Sequence, residues 1–283
     1  MTRRILALLE ITRPHNMLAA ALFAAVGFHV AGGHGATPLV LVALLTALVT
    51  GAGNVVNDLF DESVDRINKP RRPLPSERVT RVHARIEYVV LTVAIGAVSV
   101  LAWRGLGDLP GEVIALLAAW HVLLFAYAAC LKRVLLVGNL LVAAVGASAF
   151  LAGALTAGDA AQSVTPIAIA FAFVFSREVI KGGEDIEGDR LLGVSTLASR
   201  FGRSTAARIA AVSMLVLAAV IPVPAVVGTY GNGYTWLMEL VVVPLLVIGA
   251  VMVTRHPEKA TFGRVSRLLK LGMFAGIAAI AIG

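Results

Sequence analysis

Long apolar stretches follow one another along almost the whole chain, and short polar segments separate them. An α-helix needs about 20 apolar residues to cross a bilayer, and each stretch is close to that length. Because every backbone amide in lipid must be satisfied inside the protein, this pattern predicts an all-α, multi-pass membrane bundle of nine transmembrane helices. The predicted spans are residues 15–33, 37–60, 83–103, 111–131, 135–156, 163–183, 205–229, 234–254 and 265–283.

Little of the chain lies outside these spans, so residues 1–283 are expected to form a single transmembrane domain. The stretch "MTRRILALLEITRPHN" precedes the first span and mixes basic and acidic residues with apolar ones. This mixture predicts a short amphipathic helix on the membrane surface, at about residues 3–12.

Composition agrees with a membrane protein and excludes a soluble one. The chain is 58% hydrophobic and only 14% charged, with a mean hydropathy of +0.87. Such a composition leaves too little polar surface for a soluble protein of this size. The single cysteine, Cys130, excludes an intrachain disulfide and a thiolate metal cluster.

The net charge of +7 suggests a nucleic-acid partner at first, but the distribution of the basic residues indicates membrane topology instead. With nine spans, all of the 24 Lys and Arg residues except Arg104 fall on the side of the N-terminus. Positive residues gather on the cytoplasmic side of membrane proteins. We therefore expect a multi-pass protein of the cell membrane whose N-terminus and charged loops are cytoplasmic, with no nucleic-acid partner.

A first cluster of carboxylates ends the second span, in the segment "NDLFDESVD" at residues 57–65. Successive residues of an α-helix are turned by about 100°, which brings several oxygen-bearing side chains within about 60° of one another. These side chains belong to Asn54, Asp58, Asp61 and Asp65, with Asn57 beside them.

A second cluster follows the sixth span, in "SREVIKGGEDIEGDRLLG". Solvated helix ends are the plain explanation for such clusters. Against it, two unit charges about 6 Å apart repel by roughly 3 kcal/mol at an effective dielectric of about 20, so a cation between the carboxylates is expected. By the same helical arithmetic, the residues that share one face here are Glu178, Lys181, Asp185 and Asp189.

Oxygen ligands without His or Cys favour a hard cation. Mg²⁺ in particular binds through a few carboxylates and shares its remaining positions with substrate phosphates. The two clusters therefore predict a diphosphate site bridged by Mg²⁺, and neighbouring cations are able to bind phosphate oxygens. Topology is the simpler explanation for most of the loop cations, but those nearest the clusters are candidate diphosphate ligands: Lys69, Arg72, Arg177 and Lys181.

The two acidic motifs resemble those of a known family. Asn57-Asp58-x-x-Asp61-x-x-x-Asp65 and Asp185-x-x-x-Asp189 are similar in spacing and placement to the paired aspartate motifs of the UbiA superfamily of intramembrane prenyltransferases. The resemblance covers essentially the whole chain and includes the segment "RINKPRRPLPS" after the first motif.

The resemblance implies roles for individual residues. Tyr127 and Lys132, in "YAACLKR", look like a catalytic Tyr and Lys of the family, and Arg13 looks like its arginine near the pyrophosphate. Asn57 is implied in holding the diphosphate. The Mg²⁺ ligands implied are Asp58, Asp61, Asp65, Asp185 and Asp189, of which the last four are also implied as catalytic.

The segments "EITRPHN", "GNVVNDLFDESVDRINKPRRPLPS" and "SREVIKGGEDIEGDRLLGVSTL" are most similar to the lipid-making branch of the family. In that branch, the sn-2 hydroxyl of geranylgeranylglyceryl phosphate attacks geranylgeranyl diphosphate. The resemblance thus implies a Mg²⁺-dependent prenyltransferase of ether-lipid synthesis. Its partners are a prenyl diphosphate donor, a lipid-like acceptor and membrane lipids, with no obligatory protein partner.

Two other functions stay open from the sequence. Other members of the family use the same metal site with an aromatic or tetrapyrrole acceptor, in quinone, chlorophyll or haem O synthesis. A cation-coupled transporter is an alternative of another class, because acidic residues on membrane helices often mark ion pathways. The placement of both acidic motifs at helix ends disfavours the transporter.

Overall fold

The computed structural model describes residues 2–107, 109–191 and 193–283, and within these ranges all regular secondary structure is helical. Two π-helical turns, Ala102–Leu106 and Met238–Val242, and two 3₁₀ turns, Leu131–Arg133 and Ala160–Ser163, join or extend the α-helices. The α-helices are α1 (Thr2–Thr12), α2 (Pro14–Val30), α3 (Ala36–Asn68), α4 (Arg81–Leu101), α5 (Gly111–Ala129), α6 (Val137–Ala147), α7 (Ala149–Ala157), α8 (Val164–Glu184), α9 (Ile186–Leu191), α10 (Leu197–Phe201), α11 (Arg203–Val220), α12 (Val223–Val226), α13 (Asn232–Leu237), α14 (Val243–Arg255) and α15 (Lys259–Ile282).

Eight helical segments of the described residues are long and apolar enough to cross a membrane. The prediction of an all-α, multi-pass membrane protein is therefore confirmed. The first predicted span corresponds to α2, which has 17 residues and is shorter than the other eight, so a total of nine spans stays a prediction. The eight segments are Ala36–Asn68, Arg81–Leu106, Gly111–Ala129, Val137–Ala157, Ala160–Glu184, Arg203–Val226, Asn232–Arg255 and Lys259–Ile282.

Two predicted spans differ from the helices of the structure: the second continues further than predicted, and the seventh is interrupted. The second span was predicted to end at residue 60, but α3 continues to Asn68, so the whole first acidic motif lies on regular helix. The seventh span is interrupted after Val220, because Pro222 and Pro224 cannot continue the hydrogen-bonding pattern. The buried Tyr234 hydroxyl donates to the carbonyl of Ile221 at 2.8 Å, which satisfies a backbone group at this break.

Contacts group the described residues into two compact units. Unit 1 comprises Met1–Lys132 and Ala149–Ser163, and unit 2 comprises Arg133–Ser148 and Val164–Gly283. The single transmembrane domain stays a prediction. The first acidic motif belongs to unit 1 and the second to unit 2.

In unit 1, α2 packs against α3 and α7, while α3 also packs against α4 and α5. The contact between α2 and α7 is made by backbone as much as by side chains. A Cβ added at Gly27 would overlap the carbonyl of Phe150, and one at Gly153 would overlap the carbonyl of Ala24. Small residues thus let these two helices approach closely, as membrane helices often do.

Helix α1 packs on the rest of unit 1 through a small apolar cluster that also holds the chain after the first motif. Ala7 and Ile11 are buried there, whereas Leu6 and Leu9 are 60% and 53% exposed. The other buried members of the cluster are Val55, Leu74, Val79 and Ala84.

In unit 2, α8 is the central helix and packs against α6, α11 and α15. Its Ser176 hydroxyl lies 2.7 Å from that of Ser213 on α11. The helix ends at Glu184, and α9 begins two residues later, at Ile186.

Candidate active site

The first motif lies on α3 and its aspartates differ in burial. The side chains of Asp58 and Asp65 are 3% and 5% exposed, while that of Asp61 is 22% exposed. The Asn57 amide donates to Oδ2 of Asp61 at 2.8 Å, because the two residues lie one helical turn apart. Asp61 is therefore the aspartate of this motif that a ligand reaches most easily.

Two arginines neutralise the buried aspartates. Arg13 and Arg72 both bind Oδ1 of Asp58, the latter with its Nη1 at 3.3 Å, and the same Nη1 also binds Asp65. Buried carboxylates require such partners, since an uncompensated charge in a protein interior is very costly. The repulsion expected along this face is thus relieved by guanidinium groups from either side of the motif in sequence.

Arg13 reaches Asp58 from a distinctive backbone position. It lies between α1 and α2 in the left-handed region, at φ 54° and ψ 72°, and Pro14 begins α2 directly after it. The preceding carbonyl, of Thr12, accepts a hydrogen bond of 2.8 Å from the Asn54 amide on α3. The junction of α1 and α2 is therefore tied to the motif helix by side chains on both sides.

Lys132 supplies a third cation. Its Nζ lies 2.7 Å from Oδ1 of Asp61 and 3.3 Å from Oδ1 of Asn57, and its side chain is only 10% exposed. A carboxylate oxygen and an amide oxygen thus converge on one cationic group. Both are hard donors of the kind that Mg²⁺ accepts, so the residues present fit this metal.

No group of three or more Asp, Glu, His or Cys side chains forms a ready-made metal cage in the part of the chain that the structure describes. In proteins generally, Mg²⁺ is held by one or two carboxylates together with water and substrate phosphates.

The second motif continues from α8 into α9. The amide of Asp185 donates to Lys181 O at 3.0 Å and that of Asp189 to Asp185 O at 3.2 Å, so a helical pattern persists through the break. Asp185 and Asp189 therefore keep the shared face that their spacing predicts. Asp189 is 7% exposed and accepts a hydrogen bond of 3.2 Å from the Thr196 hydroxyl.

In unit 2, a buried glutamate orients two of the predicted site cations, Arg177 and Lys181. Glu178 is 7% exposed, and its Oε1 lies 3.2 Å from Nη1 of Arg177 and 2.8 Å from Nζ of Lys181. The role of Glu178 was not predicted, because the sequence shows only that it shares a face with Lys181. Thr196 was missed too, although a Thr with Ser199 three residues later is a helix-start signal, and the two form a capping box.

The structure therefore brings together seven of the predicted site residues in unit 1. Of the remaining two in that unit, Lys69 follows the last residue of α3 and Tyr127 is half-buried on α5, and their roles stay predictions. The seven are Arg13, Asn57, Asp58, Asp61, Asp65, Arg72 and Lys132.

Comparison with known proteins gives a consistent picture. Residues 18–274 match the UbiA prenyltransferase family. A digeranylgeranylglyceryl phosphate synthase of Methanothermobacter thermautotrophicus is 33% identical over 275 residues, which cover 97% of this chain and 95% of that protein.

Two solved structures share the fold. One, from work on digeranylgeranylglyceryl phosphate synthase in membranes, has a TM-score of 0.73 and 25% identity, and covers 99% of this chain and 98% of its own. The other, a UbiA homolog from Archaeoglobus fulgidus bound to GPP and Mg²⁺, has a TM-score of 0.66 and 18% identity over 96% of this chain and 99% of its own. The protein is a member of the UbiA prenyltransferase family.

Proposed function

We propose that this prenyltransferase transfers a geranylgeranyl group from its diphosphate to the sn-2 hydroxyl of geranylgeranylglyceryl phosphate, in the synthesis of ether lipids. The observation that carries the proposal is the near full-length similarity to several digeranylgeranylglyceryl phosphate synthases, at 33–37% identity. The geometry of the site is compatible with the pyrophosphate leaving group of such a donor.

In the reaction, the bond between the allylic carbon and the diphosphate oxygen breaks, and the pyrophosphate leaves with the electron pair. The sn-2 oxygen of the acceptor then forms a bond to that carbon and releases its proton. Bound Mg²⁺ would neutralise charge that develops on the leaving group. We propose Asp61 and Asn57 as Mg²⁺ ligands of the first motif, and Asp185 and Asp189 as Mg²⁺ ligands of the second motif.

Three cations of unit 1, Lys132, Arg13 and Arg72, are proposed to stabilise the same leaving group. Lys132 donates N–H bonds to Asp61 and Asn57, and we propose that its ammonium stabilises the departing pyrophosphate. Arg13 and Arg72 are held by Asp58 and Asp65, so we propose that these two aspartates act chiefly by orienting the arginines. Lys69 and Tyr127 are proposed as further diphosphate contacts.

The cations of unit 2 are proposed as phosphate ligands as well. Glu178 fixes Arg177 and Lys181 at 3.2 and 2.8 Å, which lowers the entropy that they lose when a phosphate binds. Apolar helix faces around the site would keep water from the allylic cation and hold the isoprenoid chains.

We also propose nine spans, with α2 as the first. A 17-residue helix is about 25 Å long, a few ångströms short of the hydrocarbon core, and bilayers adapt to such differences at modest cost. The excess of Lys and Arg on one side supports a cytoplasmic N-terminus and cytoplasmic acidic motifs. Activity is expected without a protein partner.

The test uses the purified protein in vesicles, with labelled geranylgeranyl diphosphate, Mg²⁺ and one acceptor at a time. We expect the diether phosphate as the product identified by mass spectrometry, with stoichiometric release of pyrophosphate. Chelation of the metal should stop the reaction, and added Mg²⁺ should restore it.

Other outcomes separate the alternatives. Exclusive prenylation of 4-hydroxybenzoate or a naphthoate would replace the lipid acceptor by an aromatic one. Movement of a substrate across the vesicle membrane without any release of pyrophosphate would favour a transporter.

A further inference from the structure

A small pocket lies behind the second motif, on the side of α9 that does not carry Asp189. Successive helical residues are turned by about 100°, which places Asp189 about 130° away from the centre of the pocket-facing side of α9. The pocket has a volume of about 360 Å³ and is partly open to solvent. Its walls are formed by Ile186, Glu187, Arg190, Leu191 and Arg203.

Both arginines of this pocket are fixed by the main chain. Nε of Arg190 donates to the carbonyl of Ser199 at 3.0 Å, and Nε of Arg203 donates to that of Gly183 at 2.8 Å. Among the described contacts, the terminal N–H groups of Arg190 have no acceptor within the protein. A guanidinium oriented in this way presents a rigid fork that matches the oxygens of a phosphate.

The charge around the pocket is unbalanced. Arg203 binds Glu187, and Nζ of Lys259 lies 3.4 Å from the other oxygen of the same carboxylate. With Arg190, three cations therefore surround one acid, which leaves a net charge of +2. A phosphomonoester carries about −1.5 to −2 near neutral pH and matches this excess.

The pocket also has an apolar side. Ile186 is buried in its wall, whereas Leu191 beside it is 72% exposed. A ligand with a phosphate at one end and an aliphatic chain at the other would satisfy both kinds of wall, whereas free phosphate would use only the arginines.

We infer that this pocket is a second binding site, separate from the catalytic aspartates, for the phosphomonoester headgroup of the acceptor lipid. The inference rests on the proposed function for the identity of the lipid. A site of this kind holds the acceptor by its phosphate at the surface of unit 2. It would raise the local supply of acceptor without taking part in bond breaking.

The test compares Arg190→Gln with Arg208→Gln in the full-length enzyme in vesicles. Arg208 is exposed on α11 and bonds only weakly, to the Thr205 hydroxyl at 3.4 Å, so its substitution removes the same charge outside the pocket. Arg190→Gln should raise the KM for the acceptor about threefold to tenfold, with kcat and the KM for the donor nearly unchanged. Arg208→Gln should change none of these values.

Glu187→Gln tests for a change of the acceptor KM in the opposite direction. Loss of the only acid of the pocket should lower the acceptor KM, or at least not raise it, because the positive excess grows. A purely structural role of Arg190 and Glu187 predicts instead that both pocket variants impair the enzyme alike, and that result would overturn the inference. Thermal unfolding of each variant checks that it is folded.

Two binding measurements distinguish the phosphate of the lipid headgroup from free phosphate as the ligand of the pocket. Native mass spectrometry should show more geranylgeranylglyceryl phosphate bound to the wild type than to Arg190→Gln. Glycerol phosphate and inorganic phosphate should compete only weakly. An active wild type whose Arg190→Gln variant binds and turns over acceptor equally well contradicts the inference alone, whereas a wild type that forms no diether contradicts the proposed function.

Discussion

The ammonium of Lys132 lies 2.7 Å from Oδ1 of Asp61, although 70 residues separate the two in sequence. The pair joins the end of the α5 segment to the motif helix α3, and Nζ also lies 3.3 Å from Oδ1 of Asn57. A cation therefore lies directly beside the two residues of this motif that we propose to hold Mg²⁺.

Lys132→Met should lower kcat by about 100-fold or more, because one preorganised donor to a developing anion is worth that much. The expected measurement is pyrophosphate release under saturating donor. Arg255→Gln is the matched control, since Arg255 is an exposed cation at the end of α14. A rate within tenfold of wild type for Lys132→Met would exclude a major role in catalysis.

Asp58 and Asp61 should fail in different ways. Asp58→Asn removes a buried carboxylate and leaves two partly buried arginines short of a charge partner, so it should cost about 3 kcal/mol of stability, seen as a lowered thermal midpoint. Asp61→Asn should lower the midpoint less, because the Asp61 carboxylate is 22% exposed, but it should lose turnover and the response to Mg²⁺. Equal loss of stability in both variants would contradict this division of roles.

Gly27→Ala should destabilise the protein by about 1–3 kcal/mol, because the new methyl group overlaps the carbonyl of Phe150 on α7. Gly96→Ala on α4 is the control, since nothing lies within 4 Å of a Cβ at that position. That control should be neutral or slightly stabilising, as alanine favours a helix more than glycine does. The two thermal midpoints, measured in the same detergent, decide the matter.

Acid should weaken the ion pairs of Glu187. Partial desolvation acts to raise its pKa, but the hydrogen bond from Arg203 and the charges of Arg203 and Lys259 outweigh it, so the pKa of Glu187 lies below its usual value. The stabilisation is therefore present above the ordinary glutamate pKa and is lost as the pH falls through the lowered one. Wild type and Glu187→Gln should differ in thermal midpoint at pH 7 and converge toward pH 3. A difference that persists at pH 3 would show another origin.

Helical periodicity was enough to predict most of the fold and the shared face of the first motif. The spacing of Asp58, Asp61 and Asp65 determines that face, since it depends only on residues within one helix. The interruption that follows α11 has a local cause of the same kind, because Pro222 and Pro224 remove backbone hydrogen bonds of their own helix.

The side-chain partners of those aspartates could not be predicted from the local sequence pattern. Repulsion between the carboxylates predicted a cation but not which one, and Arg13 meets Asp58 only because α1 and α2 pack on α3. Burial of Glu178 between two cations had no sequence signal for the same reason, since a glutamate in a charged segment is usually solvated. Side-chain pairing across elements requires the tertiary structure.

The left-handed backbone of Arg13 determines which replacements this position tolerates best. For a residue with a Cβ, a φ of 54° costs about 1 kcal/mol, whereas glycine adopts it freely. Arg13 therefore holds its guanidinium at Asp58 from a locally strained backbone. Arg13→Gly should therefore fold more stably than Arg13→Ala, the reverse of the usual order of these two residues. The backbone of the turn between α1 and α2 therefore favours glycine, whereas the ion pair with Asp58 requires the arginine that occupies the position.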